Sequence, residues 1–228
     1  LKDDSVKQCL LFFLKYPEAG QVKTRLAAEV GEVPAAELAR AMADDLLDSL
    51  KWLEDVDLIV CFDPKERAGE MAEWLGPERT YWPQRGQNLG LRMKNAFAAA
   101  FRKGYERAVL MGSDVPCADD NAVRPVFERL EGDAAAIGPS EDGGYWLIGF
   151  SERGFAPEAF TDVDWGTDKV LAQTLKWLEF SQKQIVLAPL MRDVDTLDDL
   201  RALVEAGRLG RHSRTLAQAR RLLAAADQ

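Results

Sequence analysis

The sequence predicts an α/β fold with a mostly parallel central sheet, and three observations predict it. The chain has 228 residues, of which 47% are hydrophobic and 29% charged, an ordinary globular mix at a length that one α/β domain can use entirely. Short apolar runs of strand length alternate with longer segments of helical period. No internal repeat, low-complexity tract or linker interrupts the alternation, so residues 1–228 are expected to form one domain, with residues 201–228 as a basic C-terminal helical segment.

The first element is the run Cys9-Leu-Leu-Phe-Phe-Leu14, continuous and stopped by Lys15-Tyr16-Pro17, which reads as a strand buried on both faces. Residues 34–54 place Leu38, Met42, Leu46, Leu50 and Leu53 at helical spacing, opened by Pro34. A strand at 57–62 ends at Asp63-Pro64, and a short helix at 66–75 leads to another strand at 79–82. After the polar loop 84–90 come a helix at 91–103 and the strand Ala108-Val-Leu-Met111. Asp119 or Asp120 caps the next helix. Two more strands, 133–138 and 145–150, flank the turn Pro139-Ser-Glu-Asp-Gly-Gly144. Thr167 is positioned to cap a helix with Val170, Leu171, Thr174, Leu175 and Leu178 on its apolar face. A late strand at 185–187, a helix opened by residues 195–200 and a helix capped by Ser213 complete the chain. Strands alternating with helices imply right-handed crossovers, hence the parallel sheet.

Charge and composition exclude several functions. The formal net charge of -9 argues against general attraction to DNA, RNA or an anionic membrane. The imbalance is uneven, because residues 201–228 carry +4 and residues 1–200 carry -13. The longest apolar run is far below the ~18 residues of a membrane span, and no leader-like stretch precedes it. A cytoplasmic protein is expected. Cys9, Cys61 and Cys117 are odd in number, widely spaced and without a CxxC pair, so they read as reduced thiols. His212, the one histidine, lies among Arg208, Arg211 and Arg214, which leaves little room for histidine-based nucleophilic catalysis or a His-rich metal site.

In an open α/β sheet, ligands bind beyond the carboxyl ends of the strands, and four loops there are chemically loaded. Lys15-x-Pro17-x-x-Gly20-x-x-Lys23-Thr24-Arg25 combines a turn-forming glycine with three cations, which suits a polyphosphate and also describes a solvated basic turn. It is not a P-loop, since Val22 stands where that pattern needs Gly before the Lys. Gly112-Ser-Asp114-Val-Pro116 puts a carboxylate at a strand end, where Mg²⁺ is usefully held by one or two carboxylates and substrate phosphates, or where an Asp merely forms a turn. Asp142-Gly143-Gly144-Tyr145-Trp146 offers a carboxylate, a close-approaching backbone and aromatic platforms for a sugar face, or a plain hairpin with core aromatics. Asp193-Val-Asp195 points two carboxylates to the same side, and Asp195 or Thr196 can also cap the helix that follows.

Six motifs in register, from Lys15-x-Pro17-x-x-Gly20-x-x-Lys23-Thr24-Arg25-Leu26 through Gln84-x-Gly86-x-x-Leu89-Gly90-x-Arg92-Met93, Gly112-Ser-Asp114-x-Pro116, Gly138-Pro-x-x-Asp142-Gly-Gly-Tyr145 and Trp165-Gly-Thr167 to Asp193-Val-Asp195-Thr196, resemble a bacterial glycosyltransferase-like family of the nucleotide-diphospho-sugar transferase superfamily. The resemblance covers residues 10–200 and implies a GT-A-like, Rossmann-like three-layer sandwich related to small-molecule nucleotidyltransferases. It further implies nucleotide binding by Lys15, Pro17, Gly20, Lys23, Arg25, Gln84, Gly86 and Arg92, and Mg²⁺ or Mn²⁺ binding by Asp114 and Asp195. The superfamily's adjacent glycines after the first strand are replaced here by Lys15-Tyr-Pro17. The expected activity is glycosyl transfer from an NDP-sugar to a small-molecule acceptor. Asp142, with Asp164 behind it, is the candidate general base, and Gly143, Gly144, Tyr145 and Trp165 lie on the sugar or acceptor side. The alternatives are a nucleotidyltransferase that releases pyrophosphate and a non-catalytic nucleotide-binding module.

Overall fold

In the computed structural model, which describes residues 6–227, the first apolar run forms strand β1 (Gln8–Lys15). Leu10, Phe12 and Leu14 enter one hydrophobic cluster, while Cys9, Leu11 and Phe13 enter a second on the opposite face. Because successive side chains alternate across the pleat, an unbroken apolar run is what a doubly covered strand requires. The remainder of the one-domain expectation, residues 1–5 and 228, lies outside the described residues.

After β1 the chain runs through α1 (Thr24–Val30), α2 (Glu32–Ser49), β2 (Val56–Asp63), α3 (Ala68–Leu75), β3 (Thr80–Pro83), α4 (Leu89–Arg102), β4 (Arg107–Gly112) and α5 (Asp120–Arg129). It continues through β5 (Ala135–Pro139), β6 (Tyr145–Ser151), α6 (Val170–Phe180), β7 (Ile185–Leu187), α7 (Leu197–Ala206) and α8 (Arg214–Ala226). The strands form one sheet in the order β3-β2-β1-β4-β6-β5-β7. All neighbours pair in parallel except β6, which runs antiparallel to β4 and β5. It reverses because the tight turn between Ser140 and Gly144 joins it directly to β5. Leu46 of α2, Met71 of α3 and Phe127 of α5 cover one face of the sheet, and Phe97 of α4 and Leu178 of α6 cover the other. The predicted three-layer α/β/α sandwich with a mostly parallel sheet is therefore observed.

Three local expectations need correction. The first loop is shorter than the sequence reading has it, because α1 starts at Thr24 and Gly31 separates it from α2, which begins at Glu32 rather than Pro34. Seven residues are too few to display a helical period, and Pro34 is tolerated within the first turn. Thr167 does not cap α6, whose N-cap is Lys169. Its hydroxyl instead donates to the Asp164 carbonyl and accepts from the Lys169 amide, closing the turn ahead of the helix. Finally, the strand expected at 133–138 starts at Ala135. The caps at Asp119 and Ser213 are present, as is a Thr196 and Asp199 capping box.

The basic C-terminal segment folds back on α2. Leu200, Leu203, Ala219 and Leu222 join Leu26, Leu38 and Met42 in a third apolar cluster. Around it, the Asp45 carboxylate accepts from the Ser213 hydroxyl at 2.7 Å and the Thr215 amide at 2.8 Å, and pairs with Arg214 at 3.1 Å. Arg221 pairs with Glu37 at 2.5 Å. His212 is exposed, Cys9 and Cys61 are buried, and Cys117 is half-buried and free. Among the described residues no helix is long and apolar enough to cross a membrane.

Candidate active site

Chain topology decides where these loops meet. Strands β2 and β3 lie to one side of β1 and β4 to the other, so the strand order reverses between β1 and β4. Beyond the carboxyl ends of a doubly wound sheet, such a switch point leaves a crevice between diverging loops. Here it is a cleft of about 870 Å³, within the range that takes small-molecule ligands. The loops after β1, β3, β4, β5 and β7 all contribute to its wall.

At its centre stands Lys23. Its side chain is only 4% exposed, and its ammonium pairs directly with Asp114 from the loop after β4 and with Asp195, at 3.0 Å, from the segment before α7. Burial pulls the ammonium's pKa down, but the charges of Asp114 and Asp195 outweigh it and hold the group above its usual range. The backbone of Lys23 is left-handed, with φ 48° and ψ 43°, at the N-cap of α1. For a residue with a Cβ that conformation costs about 1–2 kcal/mol, and it persists where surrounding contacts over-determine it. Lys15, at the end of β1, and Arg25, in the first turn of α1, line the cleft without an ion-pair partner among the described residues.

The cleft holds more acid than Lys23 neutralises. Asp142 and Asp193 also line it, as the alternation of Asp193 and Asp195 predicts. Burial, and then the charges of Asp142 and Asp195, push the Asp193 carboxyl up to about 6. No three His, Cys, Asp or Glu side chains among the described residues already surround a common metal position. What is present is a pair of carboxylates, Asp114 and Asp195, converging on one cation. This donor set fits Mg²⁺ or Mn²⁺, which binds through one or two carboxylates and completes its shell with substrate phosphates and water.

The other predicted residues divide between lining and support. Gln84, Arg92, Gly144, Tyr145 and Trp165 line the cleft, whereas Pro17, Gly20, Gly86, Gly143 and Asp164 do not. Gln84 donates to the carbonyls of Leu14 and Cys61, bridging β1 and β2, so its amide nitrogen is committed to the scaffold. Arg92 is similarly engaged, paired with Asp63 at 2.9 Å and donating to the Gly86 carbonyl at 3.2 Å. Gln84, Gly86 and Arg92, expected to contact the nucleotide, thus also brace their loop against the end of β2. Asp63 is the partner that sequence reading missed, having been taken only as a strand stop.

Asp164 needs a correction of role. It exchanges two hydrogen bonds with Gln173 at 2.8 and 2.9 Å, which pins the loop before α6 rather than presenting a base to the cleft. Asp142 does line the cleft, and it accepts from the Gly144 amide at 2.9 Å, which fixes its direction. Gly143 takes φ 87°, and a Cβ there would lie 2.3 Å from the Asp168 carbonyl oxygen, so its function is to let the two loops touch. Trp165 lies against Gly90, where a Cβ would approach the indole nitrogen to 2.6 Å. It meets Tyr145 edge-on, with ring centroids 6.4 Å apart. Trp146 also reaches the cleft wall, but it is largely buried and donates to the Pro189 carbonyl, which fixes it in the core. The Tyr145 hydroxyl is fully enclosed, and burial pushes its pKa up, so the ring rather than the phenol faces the cleft.

Comparison with known proteins places the chain. Residues 46–167 match the family described as "Uncharacterized protein conserved in bacteria (DUF2064)". No curated protein matches by sequence. Among solved structures, a candidate nucleotide-diphospho-sugar transferase from Desulfovibrio desulfuricans G20 is 39% identical over 98% of this chain and 98% of its own, with a TM-score of 0.92. A nucleotidyl transferase from Methanothermobacter is 16% identical over 87% of this chain and 97% of its own, with a TM-score of 0.58. A 4-diphosphocytidyl-2C-methyl-D-erythritol synthase from Anaerococcus prevotii DSM 20548 is 12% identical over 88% and 97%, with a TM-score of 0.55. The last two share the fold alone. With more than half of its length matched and a full-length relative at 39% identity, the protein belongs to the bacterial DUF2064 family and has the nucleotide-diphospho-sugar transferase fold.

Proposed function

We propose that the protein is a transferase that uses a nucleotide-activated donor, and specifically that it moves a glycosyl group from an NDP-sugar to a small-molecule acceptor. The observation that carries this reading is the Lys23, Asp114 and Asp195 cluster at the switch point, beside the cations Lys15 and Arg25, which have no ion-pair partner among the described residues. A polyphosphate suits this combination of unengaged cations and paired carboxylates, whereas a neutral or cationic substrate does not need it.

Asp114 and Asp195 would hold Mg²⁺ or Mn²⁺, which when bound supplies charge neutralisation on the departing diphosphate. Lys15 and Arg25 draw the diphosphate into the cleft and hold its oxygens. Asp142, oriented by the Gly144 amide, accepts the proton of the acceptor hydroxyl. The Tyr145 and Trp165 rings offer an apolar wall for a sugar face.

The test is a thermal-shift screen of UDP, GDP, CDP, ADP and dTDP conjugates with and without Mn²⁺. A donor at a hundredfold excess over its dissociation constant stabilises the protein by about 2.7 kcal/mol. Release of free NDP from the stabilising conjugate supports glycosyl transfer. Pyrophosphate release from an NTP assigns the same cleft to nucleotidyl transfer, and stabilisation without turnover leaves a nucleotide-binding module. No stabilisation by any conjugate overturns the nucleotide reading.

A further inference from the structure

Lys23 combines three properties that a phosphate-binding lysine does not need. Its side chain is buried, it is committed to two carboxylates at once, and its backbone is held in the left-handed region. It also occupies an N-cap, a position that favours Ser, Thr, Asp or Asn because their short side chains accept from the first helical amides. Lys23 makes no such cap bond. Neither helix capping nor backbone preference therefore accounts for a lysine here, and the ion pairs with Asp114 and Asp195 do.

Two carboxylates that converge on one ammonium also converge on any cation that replaces it. A divalent ion arriving alone would have to expel Lys23 and leave a buried ammonium without a partner, an arrangement that is strongly unfavourable. A diphosphate arriving with the ion removes this penalty, because its oxygens accept the displaced ammonium. Resting on the metal-and-nucleotide reading above, we propose that Lys23 occupies the divalent ion's seat between Asp114 and Asp195 in the donor-free protein. It gives up the seat only to metal and nucleotide together, so metal binding and donor binding are coupled through this one side chain. By linkage, the metal tightens nucleotide binding by the same factor as the nucleotide tightens metal binding.

The experiment is a Mn²⁺ titration of the nucleotide-free protein, following the free-ion EPR signal, on the wild type, Lys23→Met, Lys23→Arg and Lys15→Met. Lys23→Met, with the seat vacated, should bind Mn²⁺ about tenfold tighter than wild type or more, a coupling of ordinary size. Lys23→Arg keeps a cation between the carboxylates and should stay as weak as wild type. Lys15→Met removes an equal charge from the same cleft and should change the affinity by less than about twofold, which separates seat occupancy from general attraction. Adding Asp114→Asn to Lys23→Met should cancel the gain. If Lys23→Met does not fold, Lys23→Gln, which can still donate to both carboxylates, replaces it with the same expected direction. Equal Mn²⁺ affinity in wild type and the uncharged Lys23 variant, Lys23→Met or Lys23→Gln, or an equal gain in Lys15→Met, overturns the inference. The thermal-shift screen reads the nucleotide separately, so a gain in Lys23→Met with no stabilising nucleotide would keep the cation seat and discard the donor.

Discussion

Two groups of ion pairs in this molecule use the same residue types and do different things. On the C-terminal side, Arg214 and Arg221 meet Asp45, Asp48 and Glu37 of α2. In the cleft, Lys23 alone meets Asp114 and Asp195, with Asp142 and Asp193 close by. The tail's arginines are largely exposed and stand against a similar number of acids, so the contact is complete as it is and attaches a helix. The cleft's lysine is buried between two carboxylates, while Asp142, Asp193, Lys15 and Arg25 line the same cleft without an ion-pair partner among the described residues. Paired charge accompanies structure, and unpaired charge marks the place where a ligand completes the set. The net charge of -9 therefore says little about either region. Both arise from pairing that only the folded chain brings about.

The largest expected effect lies in the cleft. Asp114→Ala should remove the Mn²⁺-dependent part of the nucleotide-induced stabilisation, which totals about 2.7 kcal/mol at a hundredfold excess of ligand over its dissociation constant. Because the Asp114 side chain is 53% exposed and Asp195 still pairs with the buried Lys23, the ligand-free melting temperature should stay within a few degrees of wild type. A variant that keeps its metal-dependent shift would remove the cleft's claim to be different from the tail.

Asp45→Asn comes next and probes the tail. The Asp45 side chain is 13% exposed and accepts from Ser213, Arg214 and Thr215, so its loss should cost about 2 kcal/mol in urea unfolding. Burial pushes this carboxyl up, but the hydrogen bonds from Ser213 and Thr215 outweigh it and hold it below its ordinary value of 3.8. Its stabilisation is therefore fully present above the ordinary carboxylate range and is lost as pH falls through the lower folded value. Wild type and Asp45→Asn should differ most near neutrality and converge in strong acid.

Asp193→Asn should go the other way. With no divalent ion present, removing this half-buried carboxylate from beside Asp142 and Asp195 should stabilise the protein by about 1 kcal/mol at pH 7.5. The Asp193 carboxyl titrates near 6 in the folded state against an ordinary 3.8. The stability of its protonated form is thus complete below the ordinary value and is lost as pH rises through 6. The advantage of Asp193→Asn should be full above pH 6 and disappear towards pH 4, a trend opposite to that of Asp45→Asn. Thermal melts across that range with a chelator present check it, and a destabilised Asp193→Asn would mean that the cleft is as fully paired as the tail. The smallest effect belongs to Arg221→Gln, an exposed pair whose loss should change stability by no more than about 0.5 kcal/mol.

Much of the fold is legible in the sequence because strand burial writes itself as apolar runs. Cys9 to Leu14 could be placed as a doubly covered strand without knowing its neighbours, and the caps at Asp119, Thr196 and Ser213 depend on residues only three positions away. Helix α1 was hidden because Thr24–Val30 is too short to show a period. The site divides in the same way. Asp114, Asp142 and Asp195 could be selected because they follow a strand, sit in a glycine turn and open a helix respectively, and motif order identified their company. Local sequence held no sign that Asp164 would be occupied by Gln173, or Arg92 by Asp63, since those partnerships bring together elements that the chain separates.

Residue pattern alone therefore determined the alternation of strands and helices, the parallel sheet they imply and the loops where chemistry had to be sought, because periodicity and capping are properties of neighbouring residues. Only the tertiary structure decided that β6 enters the sheet antiparallel between β4 and β5, that the arginine-rich end docks on α2, and that Lys23 sits between Asp114 and Asp195, which are 91 and 172 residues away along the chain. The physical reason is common to all three. Hydrophobic patterning fixes which face of an element is buried, whereas the pairing of charges depends on which distant elements share that burial.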